Sequence, residues 1–283
     1  MPLTLNAQLS TLNSTITAVV LVGGLGTRIQ SLYPNIPKPM IPVLGKPFVE
    51  WVLRYLRAQG IQRAILSSGY RAEVVEEHFA AQPVEGMEVN CIAEPEPLGT
   101  AGGFLNAVTA LPRPVRRGEG RGEGVLWLVL NGDSLVFADL GPAIELLKNP
   151  EVEAVVVGIE VPDTARYGKL RFNCSGQLLH FGEKEPGKGV INAGIYLFKD
   201  SVLAKFPSSA ATATARPGRL ALPSPEPVMQ LSFEKDVFPA LLNRQTNIQV
   251  CVISGPFLDI GTPASVAQAD AFIKENLNAF SKS

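Results

Sequence analysis

Short apolar runs alternate with amphipathic stretches through the first half of the chain. Residues 17–22 form a β-branched run that ends in glycines, and 64–67, 88–93 and 125–130 are further strand-length segments. Between them, residues 48–59 place Phe48, Val52, Tyr55 and Leu56 at helical spacing and stop at Gly60. Residues 72–79, 101–111 and 142–148 read as helices in the same way. Buried strands joined by amphipathic helices predict βαβ units and a mostly parallel sheet covered on both faces. The second half differs. Residues 152–161, 169–172, 178–181 and 191–198 are strand-like and separated by short turns, whereas 232–243 and 264–276 read as closing helices. The expected fold class is α/β and Rossmann-like, a mixed, mostly parallel sheet flanked by helices with β-rich insertions.

Two stretches break this pattern. Residues 113–124 (RPVRRGEGRGEG) and 207–227, rich in Ala, Thr, Ser and Pro, hold too little apolar content to fold alone and read as flexible inserts. The second could be a dispensable loop or a homo-oligomer contact. Residues 1–16 form a polar extension without the basic stretch and apolar core of a signal peptide. The remainder, 17–283, is expected to be one domain. The longest apolar runs, such as 18–22 and 125–130, are far shorter than the roughly 20 residues a membrane helix needs, so no membrane partner is expected.

Composition narrows the reading further. With 25 basic and 26 acidic residues the net charge is −1, which offers no electrostatic footprint for a nucleic acid. An apolar share of 46% excludes a solvated disordered chain. Cys91, Cys174 and Cys251 are widely spaced and odd in number, so they read as reduced core thiols of a cytoplasmic protein rather than a disulfide framework or zinc site. The chain also holds 26 glycines and 23 prolines, an excess that several motifs absorb.

The sharpest motif is Val22-Gly23-Gly24-Leu25-Gly26-Thr27-Arg28, a hydrophobic strand that runs into three glycines. Glycines there let a backbone turn tightly and bring amide N–H groups close to phosphate oxygens. No Gly-Lys-[Ser/Thr] follows, so it is not a P-loop, and Ile29 stands where a dinucleotide fingerprint needs its third glycine. A glycine cluster alone could be an ordinary strand-to-helix turn. Arg28 favours the phosphate reading, because its fork suits phosphate oxygens. Ten residues on, Lys38 is fixed between Pro37 and Pro39; alone it would read as a solvated lysine, but beside the loop it reads as a second phosphate-facing cation.

These motifs, together with Glu94-Pro95-Glu96-Pro97-Leu98-Gly99-Thr100-Ala101-Gly102, Asn131-Gly132-Asp133 and Asn192-Ala193-Gly194, come in the order seen in sugar-1-phosphate nucleotidylyltransferases. The resemblance runs from about Ala18 to the C-terminal helix. Within that family the chain most resembles the D-glycero-α-D-manno-heptose 1-phosphate guanylyltransferases, through a segment with Ser31 after the loop arginine, Arg166-Tyr167-Gly168, Ser232-Phe233-Glu234 and Phe257-Leu258-Asp259-Ile260-Gly261-Thr262-Pro263. Mannose-1-phosphate guanylyltransferases are the nearest alternative. The segment Gln30-Ser31-Leu32-Tyr33 replaces the Pro-Leu-Thr of many members, which weakens the analogy to glucose- and thymidylyl-type enzymes. No counterpart in the family matches 207–227, and the chain ends too soon after its closing helix for a long left-handed β-helix.

The resemblance implies attack by a sugar 1-phosphate oxygen on the α-phosphorus of a nucleoside triphosphate, with release of pyrophosphate. Catalysis of this kind is mostly positioning and electrostatics, so no nucleophilic triad is needed, and His78 and His180 are expected to be structural or exposed. The implied catalytic set is Arg28, Lys38, Asp133, Lys184 and Asp259, with Asp133 and Asp259 as ligands of a Mg²⁺ cofactor. Asp133 would follow a buried strand, where open α/β sheets bind ligands, although a carboxylate there could also be a cap. Val22, Gly23, Gly24, Gly26, Thr27, Glu94, Leu98, Gly99 and Thr100 would bind the nucleotide. Gly132, Gly168, Glu183 and Asn192 would line the sugar, with Tyr167 equally placed to be a core aromatic. Glu94 could accept both N1–H and N2–H of guanine, which points to GTP; backbone groups of Gly24 and Leu98 are the alternative readers of the base.

Two other classes predict different features. A glycosyltransferase with a similar sheet would show an Asp-x-Asp metal motif, and the chain has none. A non-catalytic regulatory subunit would be expected to lack Arg28, Lys38 or one of the aspartates, and all are present. Uridylyl- or cytidylyltransfer remains a further alternative to guanylyltransfer.

Overall fold

The structure is a computed structural model that describes residues 16–24, 26–30, 32–110, 125–165, 167–182, 185–207 and 230–280. Residues 1–15, 113–124, 208–227, Ser31, Arg166, Glu183 and Lys184 lie outside the described residues. The chain enters through β1 (Ile16–Leu21), and after the glycine loop a short 3-10 turn covers Lys38–Met40. A small ribbon, β2 (Pro42–Val43) and β3 (Lys46–Pro47), leads into α1 (Phe48–Ala58). β4 (Arg63–Ser68), α2 (Ala72–Ala81), β5 (Glu88–Ala93) and α3 (Gly99–Ala110) continue the alternation. Then come β6 (Leu126–Asn131), β7 (Ser134–Val136), α4 (Gly141–Leu146) and β8 (Ala154–Val161). β9 (Leu170–Phe172), β10 (Leu178–Phe181) and β11 (Gly189–Lys199) follow. The described chain closes with α5 (Phe238–Asn243), β12 (Ile248–Ile253), β13 (Phe257–Asp259) and α6 (Pro263–Glu275).

Seven strands form the main sheet in the order β12-β8-β11-β6-β1-β4-β5. The run β6-β1-β4-β5 is parallel, β12 is parallel to β8, and β11 is antiparallel to both of its neighbours. Parallel strands need crossovers, and right-handed crossovers place helices on the sheet's faces. The side chains obey that layout. Ala18 and Val20 of β1 pack with α1, α2, α4 and α6 on one face, while Val19 packs with α3 and α5 on the other. The expected mixed, mostly parallel α/β sheet is thus observed, and β9–β10 and β7–β13 are separate two-stranded additions.

Three expectations need adjusting. β12, an edge strand with an exposed Val252, has no counterpart in the pattern reading, although residues 250–253 form a four-residue apolar run. The segment 232–243 is not one α-helix. It opens with a π turn, Phe233–Val237, in which the Phe238 N–H reaches back to the Phe233 carbonyl. Pro239 accounts for this: a proline ring clashes with the carbonyl four residues earlier, and the wider turn relieves it. Finally, Cys174 is exposed in a turn rather than buried in the core. Among the described residues no helix is long and apolar enough to cross a membrane.

The α3 face is held by stacked aromatic rings. Phe104 is fully buried, with ring centroids 5.6 Å from Phe233, 6.0 Å from Phe198 and 6.2 Å from Trp127. Phe104→Ala is expected to lower stability by about 3–5 kcal/mol, because the surrounding rings cannot collapse into the space. Urea unfolding of the variant against wild type measures the loss.

Candidate active site

The candidate catalytic residues gather at the carboxyl ends of the central strands. β6 ends at Asn131, and two residues later Asp133 leads into β7. β7 pairs antiparallel with β13 so that Ser134 lies opposite Asp259, and the Ile260 N–H donates to the Asp133 carbonyl at 3.0 Å. This short two-stranded clasp brings together two carboxylates that are far apart in sequence. The ammonium of Lys38 reaches both. It donates to Asp133 Oδ2 in a short contact and lies 3.5 Å from Asp259 Oδ1. Lys38 is only 11% exposed, whereas Asp133 and Asp259 keep 31% and 29%. The pair therefore faces outward over an ammonium buried beneath it.

Pro37 and Pro39 hold the lysine in its 3-10 turn, and the glycine loop closes over its stem. Gly26 has φ +58°, and a Cβ there would lie 3.0 Å from Lys38 Cβ. Only glycine meets both demands without strain. Thr27, Arg28 and Gly24 are exposed beside it, and among the described residues nothing stands within 4 Å of the Cβ position at Gly24. Gly23 differs. A Cβ there would meet Glu94 Oε1 at 2.7 Å, so this glycine makes room for a carboxylate of the protein itself. Val22 is buried, and its N–H donates to the Ser67 carbonyl at 2.8 Å.

Glu94 is half-buried under the loop. Ser67 Oγ donates to its Oε1 at 3.2 Å and the Leu98 N–H to its Oε2 at 3.1 Å. Burial pushes its carboxyl above the usual carboxylate range, against the opposing pull of those two hydrogen bonds. Both backbone groups of Leu98 are in use, since its carbonyl accepts from the Leu231 N–H at 2.8 Å. Leu98 is thus committed within the protein, while Gly24 stays open. Gly99, with φ +76°, lets Leu231 approach so closely that a Cβ would lie 2.6 Å from its carbonyl oxygen. That carbonyl also accepts from the Ala101 N–H at 2.8 Å, which caps the start of α3. The Thr100 hydroxyl oxygen accepts from the Phe233 N–H at 3.1 Å.

The residues expected at the sugar divide. Gly132 is buried against Val22 and the Leu21 carbonyl, a packing position. Gly168 lies where a Cβ would be 3.0 Å from the Gly182 carbonyl, at the junction of β10 with the segment that holds Glu183 and Lys184. Tyr167 packs on the core, edge-on to Phe257 at 6.1 Å. Asn192 falls where the β8–β11 ladder shifts register, and its Nδ2 donates to Tyr196 Oη at 2.7 Å. Glu234 was not among the expected site residues although its motif was noticed; its carboxylate joins the same cluster, and the signal was the Ser-Phe-Glu segment itself. His78 sits 3.4 Å from the buried Glu50, and His180 is exposed.

Could the pair hold a metal? Among the described residues no group of three or more His, Cys, Asp or Glu side chains is arranged for one. Two half-exposed carboxylates gathered around Lys38 nevertheless suit Mg²⁺, which commonly takes one or two carboxylates and completes its shell with phosphate and water.

Comparison with known proteins identifies the family. The nucleotidyl transferase family profile matches residues 17–276. The chain belongs to that family. It is 30% identical to the D-glycero-alpha-D-manno-heptose 1-phosphate guanylyltransferase of Campylobacter jejuni, over 87% of this chain and 95% of that protein. It is 31% identical to the mannose-1-phosphate guanylyltransferase of Mycobacterium tuberculosis over 90% of this chain, but spans only 64% of that protein's length. Among solved structures, HddC from Yersinia pseudotuberculosis, complexed with GMP-PN, matches with a TM-score of 0.69 and 29% identity, covering 90% of this chain and 98% of that one. The nucleotidyltransferase is thus an enzyme of mixed α/β fold whose relatives include guanylyltransferases for two different sugars.

Glu94 yields a test that needs no substrate. A carboxyl whose folded pKa is raised favours the protonated form, so stability is fullest below the ordinary Glu range and falls as pH rises through the folded value. Glu94→Gln is expected to raise the thermal midpoint at pH 8 and to give little gain near pH 4. A gain independent of pH would exclude a desolvated charge at this position.

Proposed function

We propose that this enzyme transfers a guanylyl group from GTP to a sugar 1-phosphate and releases pyrophosphate. D-glycero-α-D-manno-heptose 1-phosphate is the best-supported acceptor and mannose 1-phosphate the alternative. The observation that carries the reading is the convergence of Lys38, Asp133 and Asp259 at the carboxyl edge of the sheet, directly beside the glycine loop. In the reaction a phosphate oxygen of the sugar forms a new bond to the α-phosphorus as the bond to the β-phosphate oxygen breaks. Two anions must meet, so the protein must supply cations. Arg28, exposed on the loop, would neutralise the triphosphate, and Lys38, held by two prolines, would lower the negative charge of the aspartate pair that the phosphates approach. Backbone amides around Gly24 and Gly26 offer donors that need no side-chain ordering.

Mg²⁺, held by Asp133 and Asp259, would supply further charge neutralisation between the phosphates. The carboxylates are steadied for that role by the β7–β13 clasp and by Lys38. Support for guanine comes from Glu94. A carboxylate has about four acceptor sites, and hydrogen bonds within the protein use two of those on Glu94. The remaining sites suit the N1–H and N2–H donors of guanine, whereas uracil and thymine would present a carbonyl to it. The heptose reading rests on the Ser232-Phe233-Glu234 and Phe257–Pro263 segments. Sequence identity does not separate the two acceptors, at 30% and 31% to relatives of each kind.

A pyrophosphate-release assay with four nucleoside triphosphates and a panel of sugar 1-phosphates tests this reading. GTP with a manno-configured sugar 1-phosphate should be turned over fastest; activity mainly with UTP or dTTP would sink the guanine assignment. Asp133→Asn and Lys38→Ala should each lower kcat by about 10²–10³ with the fold retained, as expected when one preorganised electrostatic group is removed.

A further inference from the structure

The sheet order divides the site in two. The glycine loop, Glu94 and the start of α3 lie on the β1-β4-β5 side of β6, so the nucleotide takes that side. The body of the acceptor must then lie over β11, the other neighbour of the strand that leads to Asp133. There β11 departs from regular pairing between Asn192 and Ile195. Gly194, with φ +71°, presses on Asn131, where a Cβ would meet Nδ2 at 2.5 Å. The irregular stretch is therefore one strand, about 4.8 Å, from the residues that lead into Asp133.

Asn192 has little left to offer a ligand at this place. Its Oδ1 accepts from the Gly194 N–H at 2.9 Å, and its Nδ2 donates to Tyr196 Oη at 2.7 Å and to Glu234 Oε1 at 3.4 Å. Glu234 is placed differently. Its Oε1 accepts from Tyr196 Oη at 2.6 Å as well as from Asn192, but among the described residues its Oε2 accepts only from Ser232 Oγ, at 2.9 Å. With about two acceptor sites per oxygen, Oε2 keeps one to spare. Glu234 is half-buried, while Tyr196 behind it is 1% exposed. The carboxylate is thus braced from below and open to one side.

Its position is also rigid. Phe233 is fully buried among the rings of Phe104, Tyr196 and Phe198, with centroids 5.1–5.6 Å away. Ser232 Oγ accepts from the Lys235 N–H, and the Ser232 N–H donates to Asp236 Oδ2 at 2.7 Å. Glu234 lies on the π turn, a widened turn that occurs preferentially at functional sites.

We propose that Glu234, through Oε2, accepts a hydrogen bond from a ring hydroxyl of the acceptor sugar and so helps to select which sugar 1-phosphate is used. The inference rests on the acceptor reading above. A carboxylate can only accept, so it favours a free hydroxyl and disfavours a sugar that lacks one or masks it.

The test pairs enzyme and substrate changes. Mannose 1-phosphate and its monodeoxy analogues are assayed with GTP, using wild type, Glu234→Ala and Glu234→Gln. Wild type should discriminate against one analogue by about 10- to 100-fold in kcat/KM, the range for a hydrogen bond to a charged group. Glu234→Ala should treat that analogue and its parent nearly alike and keep the GTP KM, and Glu234→Gln should fall between. Tyr196→Phe, which removes only the buried hydroxyl, should keep the wild-type discrimination. A purely structural role would lower all substrates equally and leave the discrimination intact, which overturns the inference while leaving the acceptor reading standing. If Glu234→Ala does not fold, Glu234→Gln decides the matter by the same comparison. Absence of pyrophosphate release from wild type with mannose 1-phosphate and every other sugar 1-phosphate would overturn the acceptor reading and this inference together.

Discussion

An ammonium held beneath two carboxylates is the constraint from which the rest of this molecule can be understood. Asp133 and Asp259 would repel one another if brought together alone, and Lys38 offsets that repulsion. Each of the three needs its own support. The lysine needs prolines on both sides and a glycine at position 26 so that the loop can close on its stem. The aspartates need β7 and β13 to pair in one register, because a slip of a single residue would turn Asp259 to the opposite face. The parallel sheet supplies the platform, since it is the carboxyl end of β6 that delivers Asp133 to the place where the loop after β1 arrives.

The same economy of contacts links the side proposed for the base to the side proposed for the sugar. Leu231 bonds to Leu98 and caps α3 at Ala101, and Phe233 bonds to Thr100. One residue later the chain presents Glu234 to Asn192 and Tyr196. The segment is pinned underneath by the aromatic stack that Phe233 and Phe238 share with Phe198. A change in how the base loop sits would therefore act on the Glu234 carboxylate through only a few backbone bonds. The half-buried Glu94 stands at the far end of this connection. Its raised pKa marks a carboxylate kept where burial disfavours its charge, a pattern more common at functional positions than in a neutral scaffold.

Much of this was legible in the sequence. Strands buried on both faces write themselves as apolar runs, which is why β1, β4, β6 and β8 and the helices between them could be read directly. The glycine loop and Lys38 stood out as motifs and the two aspartates through the family resemblance, and the structure brings Lys38, Asp133 and Asp259 together. What was not legible depended on pairing or on register. β12 is a short edge strand whose apolar run spans only residues 250–253, and the β7–β13 clasp exists only because two remote segments meet. Nor could periodicity reveal the π turn, since its cause is a proline two residues beyond its end. The partners of Leu98 were equally hidden, because they come from a segment more than a hundred residues away.

Glycine illustrates how far local reading reaches. The loop glycines looked alike as three small residues placed for a phosphate. In the fold they answer to different demands: Gly23 to the Glu94 carboxylate, Gly26 to a left-handed turn over Lys38, and Gly24, among the described residues, to no neighbour within 4 Å. Only Gly24 is therefore open toward the space where a nucleotide would lie. The other two make room for side chains of the protein itself, Glu94 and Lys38. The excess of glycine in this chain therefore reflects in part the close approach of protein groups to one another, and the placing of Lys38 and Glu94 depends on that crowding.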